Sequence, residues 1–199
     1  MDTQTSPRYV FGLNKPGVSF IVASTDPKDV RRRIFLTDTF FDIPPVLRGA
    51  VRRSQRSFDI PSHFRATSLI HELSHIVSGT EDIAYLEASA PYLDMIDATG
   101  PNGQALLQTI AKAQNQALNA QTPTAELFTV LDNGVRRDIT DADGPAFSLV
   151  LKTSKQKNLQ DARQAFMHND AVRQRIILAN ADSVALLITL LSRSQPGRP

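Results

Sequence analysis

The five residues His71-Glu72-Leu73-Ser74-His75 are the most informative stretch of this chain. Side chains four positions apart on an α-helix lie on one face, so the two imidazoles can reach a single Zn²⁺ ion at about 2.0–2.1 Å. Glu72 is turned by about 100° from His71, toward the coordination position that remains. The spacing therefore predicts a zinc-binding helix with His71 and His75 as ligands and Glu72 as a general base.

The flanking sequence supports this helix. Neither residues 66–70 nor residues 76–77 contain Pro or Gly, and they place a broad apolar stripe around the motif, formed by Leu69, Ile70, Leu73, Ile76 and Val77. Gly79 suits the left-handed conformation that closes a helix, so we expect the helix to end at Ser78-Gly79.

A catalytic zinc site needs a third protein ligand and one open position. Glu81 stands where the metzincin pattern requires a third His, and Ser78 stands where that pattern requires Gly, so the metzincin class is disfavoured. A distant Glu could complete the set, and Glu87 and Glu126 are candidates. His63 and His168 have no partner at helical or turn spacing and are interpreted as structural.

Composition sets the remaining limits. The 199 residues are 41% hydrophobic, which is enough for one sizeable core, so a single domain over 1–199 is expected. The formal charge of +2 makes nucleic acid an unlikely partner, although Arg31-Arg32-Arg33 and Arg52-Arg53 with Arg56 are locally basic. Cysteine is absent, which excludes disulfides and thiolate ligands. No apolar run is long enough to span a bilayer, and no conventional secretory signal is visible, so a soluble protein is expected.

Periodicity predicts an α+β chain. Residues 9–24 and 33–41 are rich in β-branched and aromatic types and are expected to form a small twisted N-terminal sheet. The predicted helical segments are 46–58, 92–98, 103–120, 159–168 and 171–192. Between them, residues 127–151 are interpreted as a strand insertion, with strands at 127–131, 135–139 and 147–151 and a turn at Asp132-Asn133-Gly134. Residues 194–199 are expected to be a frayed tail.

The segment that follows the motif resembles a known family. Gly79-Thr80-Glu81-Asp82-Ile83-Ala84-Tyr85 matches Gly-Thr-x-Asp-x-x-Tyr, which follows HExxH in the aspzincins, the deuterolysin and peptidyl-Lys metalloendopeptidase family. Two looser likenesses are Phe40-Phe41-Asp42-Ile43-Pro44 ahead of the motif and Asn180-Ala181-Asp182-Ser183 near the end. The chain departs from the family at Leu86, where Gly is expected, in residues 127–151, and in lacking cysteine.

The resemblance implies a zincin-like fold in which the sheet packs on a mostly helical lobe carrying the HExxH helix. It implies Asp82 as the third ligand of one Zn²⁺ and Tyr85 as the hydroxyl that stabilises the oxyanion. In Lys-selective members an acidic pair reads the residue after the scissile bond. Asp182 would be the first of that pair and is a candidate substrate-binding residue, with contact to a zinc ligand as the alternative. The second position is Ala185, so Lys specificity is not predicted.

These features predict a zinc-dependent endopeptidase that acts on a protein or peptide laid along the edge of the sheet. Because a general protease is harmful in the cytosol, we expect a bacterial toxin or effector that is exported by a specialised secretion system and restrained by a cognate inhibitor or immunity protein. The alternative is a non-catalytic binding module, in which zinc only stabilises the fold and the arginine clusters bind nucleic acid or an acidic protein partner.

Overall fold

The fold is a small sheet packed against a helical lobe, in agreement with the α+β expectation. The computed structural model describes residues 8–14, 21–26, 28–52, 58–132 and 135–193. Strands β1 (Tyr9–Phe11), β2 (Ala23–Thr25) and β3 (Ile34–Leu36) form a sheet in the order β1-β3-β2. Strand β1 is parallel to β3, whereas β2 is antiparallel to it, so β2 lies at one edge.

The helices follow in chain order. Two short helices, α1 (Asp38–Phe41) and α2 (Pro45–Arg48), precede the long helix α3 (Ile60–Ser78). After it come α4 (Pro101–Gln116), the hairpin strands β4 (Thr129–Asp132) and β5 (Val135–Asp138), and then the helices α5 (Gly144–Ser154), α6 (Leu159–His168), α7 (Asp170–Ala179) and α8 (Ala181–Arg193). Single 3₁₀ turns lie at Leu93–Met95, Thr124–Glu126 and Asp141–Asp143.

Helix α3 begins and ends as its sequence predicts. The Asp59 side chain accepts a hydrogen bond from the backbone N–H of Ser62 at 3.2 Å, which satisfies a free amide of the first turn. At the other end Gly79 takes the left-handed conformation with φ of 64°, and its N–H donates to the Ser74 carbonyl. Because a side chain at such a φ is strained, glycine suits the point where the chain turns back along the helix.

The sheet is anchored on α3 by apolar packing. Buried residues Ile34, Leu36 and Phe40 contact Leu69 and Ile76 on one side of the helix. The opposite helix face lies against α8, and α5, α6 and α7 enclose a larger core around Phe128, Phe166 and Ile176. Helix α3 is thus held between the sheet and the C-terminal helices, which leaves the cleft beside its last turns.

The apolar stripe predicted around the motif is only partly buried. Leu69 and Ile76 pack on the sheet, but the side chains of Leu73 and Val77 are exposed, with relative accessibilities of 42% and 79%. The stripe is broader than the surface that either packing partner covers, so part of it faces solvent.

Several predicted elements were wrong in type or extent. Residues 147–151 lie inside helix α5, because Pro145 near the start of that helix and burial of Ala146 and Val150, four residues apart, favour a helix over the strand that the short apolar run indicated. Residues 38–41 are helical, and 92–98 contains a single 3₁₀ turn. Of the predicted helix at 46–58 the structure describes residues 46–52 and 58, and among these the helix Pro45–Arg48 ends at Arg48. The hairpin prediction is confirmed at 129–132 and 135–138.

The predicted helix 171–192 is broken at Asn180. There the backbone forms an isolated parallel bridge with Glu81, through hydrogen bonds from Glu81 N–H to Ala179 (3.0 Å) and from Ala181 N–H to Glu81 (3.2 Å). Consequently Asp182 lies in the first turn of α8 and not in mid-helix. Residues 15–20, Arg53, Arg56, the turn at 133–134 and the tail 194–199 lie outside the described residues, so the predictions made for them stay predictions.

Candidate metal centre

Three side chains converge at the last turns of α3. The Nε2 atoms of His71 and His75 lie 3.2 Å apart, and Asp82 places its Oδ1 at 3.1 Å from the first and 3.6 Å from the second. Ligands held by zinc at about 2.0–2.1 Å in a tetrahedral arrangement lie about 3.3–3.4 Å from one another. The triangle therefore has the size that a tetrahedral zinc ion requires.

Glu72 belongs to the same cluster but has a different position in it. Its carboxylate and the two imidazoles lie within 4.8 Å of one another, so His71, Glu72 and His75 are also a group that could hold a metal ion. We favour Asp82 as the third ligand because its oxygen is the one that closes the smaller triangle. Glu72 is buried and lines the same cleft as Thr25 of the edge strand β2.

Hydrogen bonds fix both imidazole rings. The Nδ1 of His71 lies 2.8 Å from Asp182 Oδ1, and the Nδ1 of His75 lies 2.7 Å from the Thr80 carbonyl oxygen. An acceptor at Nδ1 keeps the proton there and leaves Nε2 free as a ligand atom. Both rings are thus presented in the tautomer that a metal needs.

Asp182 therefore lies behind the cluster. Its second oxygen accepts a hydrogen bond of 2.7 Å from the Leu86 N–H, so one carboxylate joins His71 to the segment that carries Tyr85. Only 13% of the side chain is exposed. The alternative weighed from the sequence, contact with a zinc ligand, agrees with this geometry better than contact with substrate does.

The segment 79–86, here called the ligand loop, is clamped by Asn180. The buried Asn180 side chain accepts hydrogen bonds from the N–H groups of Ile83 (3.2 Å) and Ala84 (3.1 Å). Thr80 adds a hydrogen bond between its hydroxyl and that of Ser74 at 2.6 Å. These contacts fix the backbone on both sides of Asp82.

The electrostatics of the cluster suit a cation. Burial lowers the pKa of His71, but hydrogen bonds to Asp182 and Asp82 outweigh it and hold the pKa well above its usual value. Burial raises the pKa of Asp82, but its hydrogen bond to His71 and the charges of the two imidazoles outweigh that effect and lower it. Burial also raises the pKa of Glu72, although the charges of His71 and His75 oppose the shift.

Tyr85 is the remaining candidate catalytic residue. Burial, together with the nearby charges of Asp82 and Asp182, raises the pKa of its phenol. The group therefore stays protonated at neutral pH and can act as a hydrogen-bond donor.

The other candidates lie elsewhere. Glu87 faces Arg136 at 3.4 Å, and Glu126 lines a separate cleft that also includes Lys112. His63 packs between Phe58 and Tyr92, as expected for a structural histidine. In the basic clusters, Arg33 is paired with Asp29 and Arg52 donates to the Ile96 carbonyl, so both side chains have partners within the chain.

The cluster opens into a cleft of about 650 Å³. Its walls include the β2 residues Ala23 to Thr25, residues 28–30 and 32, and the candidate site residues Glu72, His75 and Asp82. Sequence reasoning gave no role to Thr25, Thr80 or Asn180, although the last two lie in the stretches that carry the family resemblance. The positions of Thr25 and Asn180 become visible only when distant segments meet, and the contacts of Thr80 only when the chain turns back at Gly79. Among the described helices, none is both long and apolar enough to cross a membrane.

Comparison of the chain with protein-family models, curated proteins and solved structures gives no match in any of the three. Its function is therefore inferred from the residues and geometry of this chain alone.

Proposed function

We propose that this chain is a zinc-dependent endopeptidase of the aspzincin type with a zincin-like fold. The observation that carries the proposal is the triangle of His71, His75 and Asp82, whose atoms are 3.1–3.6 Å apart, with the Glu72 carboxylate beside it at a cleft. Zinc held there would act as a Lewis acid that polarises a carbonyl and lowers the pKa of water to about 7.

Glu72 is proposed as the general base and acid. Its carboxylate takes a proton from the water that attacks the scissile carbonyl carbon and returns it to the leaving amine. Thr25 of the edge strand β2 lines the same cleft and favours the ionised form of that carboxylate. Tyr85 donates its hydroxyl proton in a hydrogen bond to the carbonyl oxygen as negative charge develops on it.

The edge strand β2 supplies a binding surface for an extended peptide. The Thr37 N–H donates to the Val22 carbonyl at 3.1 Å, so by the alternation of an antiparallel ladder the backbone groups of Ala23 and Thr25 face away from β3. A peptide that pairs with this edge would lie beside Glu72 and Asp82, which line the same cleft. Backbone pairing of this kind fits a substrate that is an unfolded or extended segment.

The decisive experiment compares the zinc-loaded parent with Glu72→Gln on casein and on an unbiased peptide library. We expect Glu72→Gln to bind one equivalent of zinc but to cleave about 10²–10⁴-fold more slowly, because only the proton transfer is removed. Glu126→Gln makes the same chemical change in the separate cleft and should cleave at the parent rate. Equal cleavage by Glu72→Gln and the parent would overturn the proposal.

A further inference from the structure

The segment between β2 and β3, here called the β2–β3 segment, carries the run Arg31-Arg32-Arg33, which has no role in the proposed function. The structure gives its three members different surroundings. Arg33 belongs to the fold, because its Nε donates to Asp29 Oδ2 at 2.8 Å and its guanidinium lies 5.4 Å from the centre of the Phe35 ring. Arg31 is exposed and lies outside the lining of the cleft, whereas Arg32 lines it.

The backbone of Arg32 is held in a conformation that its side chain disfavours. Its φ is 50°, in the left-handed region that residues with a Cβ atom rarely adopt. The Asp29 carbonyl fixes it by accepting a hydrogen bond from the Arg32 N–H at 2.8 Å, and the Asp29 carboxylate accepts from the flanking N–H groups of Arg31 (3.2 Å) and Arg33 (3.0 Å). Because such strained residues cluster at functional sites, the conformation points to a use for the Arg32 side chain.

The cleft carries charges of opposite sign on different walls. Glu72, Glu81 and Asp82 line it on the wall formed by α3 and the ligand loop, whereas Lys28 and Arg32 line it on the wall formed by the β2–β3 segment. The first wall is the proposed site of the zinc ion. The second wall is therefore the place where the cleft can attract an anionic group of a bound peptide.

The two cations of this wall are available to a ligand. Of the acidic residues beside them, Asp29 is already paired with Arg33, and the Asp26 carboxylate accepts a hydrogen bond from the Lys28 backbone N–H at 2.8 Å. Within the described part of the chain, the side chains of Lys28 and Arg32 form no hydrogen bond or ion pair. A guanidinium in this state can bind a carboxylate through two parallel hydrogen bonds.

We propose that Arg32 is a specificity-determining residue, which selects peptides that carry an Asp or Glu side chain at the subsite beside the β2–β3 segment. The role rests on the proposed peptidase function of the cleft. A peptide paired with the edge of β2 continues toward Arg32, because the strand leads directly into the segment that carries this residue. Lys28 adds a second positive charge on the same wall. The substrate class is an extended peptide with an acidic residue near the scissile bond.

The first test uses pairs of peptides that differ only by Asp or Asn at one position of a cleaved sequence. At one subsite we expect the parent to cleave the Asp peptide with a kcat/KM about 5- to 10-fold higher, and the preference to shrink in about 1 M salt. Arg32→Gln should abolish the preference, because it removes the charge and keeps a side chain of similar length. Arg31→Gln removes the same charge from the neighbouring exposed residue and should leave the preference unchanged.

The second test separates specificity from folding. Glycine adopts a positive φ without strain, so Arg32→Gly should unfold at a urea concentration no lower than that of the parent while losing the preference for the Asp peptide. A lower unfolding midpoint together with a retained preference would show that the arginine serves the fold, and would overturn the proposal.

Peptide binding is measured separately on zinc-loaded Glu72→Gln, by the fluorescence anisotropy of labelled Asp and Asn peptides. The Asp peptide should bind about 5- to 10-fold more tightly, and adding Arg32→Gln should remove the difference. Equal kcat/KM for Asp and Asn at every position, or a preference that survives Arg32→Gln, would overturn the proposal. If the parent cleaves no peptide, the proposed peptidase function fails, and the binding comparison alone decides the role of Arg32: equal binding of the two peptides would overturn it.

Discussion

Helix α3 carries histidines near both of its ends, and their surroundings differ completely. His63, in the first turn, lies between the rings of Phe58 and Tyr92 and uses its Nε2 to bond the Ala90 carbonyl at 3.0 Å. Burial lowers its pKa, in spite of that hydrogen bond. His71, two turns later, is bonded to two carboxylates that raise its pKa.

The comparison shows that the partner of an imidazole decides its chemistry. An aromatic cage favours the neutral ring and uses it for packing, whereas carboxylates stabilise positive charge, which a metal ion can supply in place of a proton. Substitutions of Asp82 and Asp182 should affect the site around His71 most, that of Asn180 less, and that of His63 least.

The largest effect is expected from Asp82→Ala. It removes one corner of the ligand triangle, so zinc affinity should fall by more than about 100-fold, beyond the loss typical of an outer-shell partner. Competition titration with a zinc chelator measures it. Glu81→Ala, one residue earlier on the ligand loop, should change affinity by a much smaller factor. Equal losses for the two variants would show that Asp82 is not a ligand.

A smaller loss is expected from Asp182→Asn. The amide still fits behind His71 but lacks the charge that makes the imidazole a strong ligand, so zinc affinity should fall by about 10–100-fold. The same titration applies, with Asp141→Asn as a control that removes an equal charge from an exposed site. If Asp182 instead contacted substrate, zinc affinity would stay at the parent value and only KM would rise.

The clamp of the ligand loop is tested through stability. Asn180→Ala leaves the buried N–H groups of Ile83 and Ala84 without an acceptor, which should cost about 2 kcal/mol in the free energy of unfolding. Chemical denaturation of the metal-free protein measures this loss. Asn158→Ala, which removes a cap of helix α6, is the comparison and should cost about 1 kcal/mol. An Asn180→Ala cost below that of Asn158→Ala would contradict the role of the clamp.

The smallest effect is expected at His63, and the direction of its pKa shift fixes how stability should change with pH. Because the pKa of His63 is lower in the folded state, the unfolded chain binds more protons at this position, and the contribution of His63 to the stability of the metal-free protein should be lost as the pH falls below about 6.5. Among the described residues, the charged groups near these rings include Arg193, over the Tyr92 ring, and its partner Asp94. His63→Gln does not titrate, so the stability difference between parent and variant should shift in favour of the variant between pH 7.5 and pH 5. A difference that is constant with pH would contradict the prediction.

The elements that were predicted correctly are those whose formation depends on residues near one another in the sequence. The end of α3 at Gly79, the whole of α6 at 159–168 and the hairpin at 129–138 follow from capping, periodicity and turn residues. Helical spacing also predicted that the side chains of His71, Glu72 and His75 lie together, whereas Asp82 was implied by the family resemblance.

What the sequence did not reveal depends on contacts between distant segments. The break at Asn180 is imposed by the backbone bridge to Glu81, and the place of Asp182 behind His71 follows from that break. Thr25 and Glu72 likewise line one cleft only because the sheet packs on α3. Helix α5 was misjudged because a short apolar run does not by itself distinguish a buried strand from a buried part of a helix.

X-ray absorption at the zinc edge, on protein loaded with one equivalent of the metal, tests the central claim most directly. The account predicts a first shell of two imidazole nitrogens and oxygen ligands at about 2.0–2.1 Å, with one oxygen lost in Asp82→Ala and one position that an added hydroxamate can occupy. A shell that is unchanged in Asp82→Ala, a fourth protein ligand that hydroxamate cannot displace, or failure to bind one equivalent of zinc would contradict it.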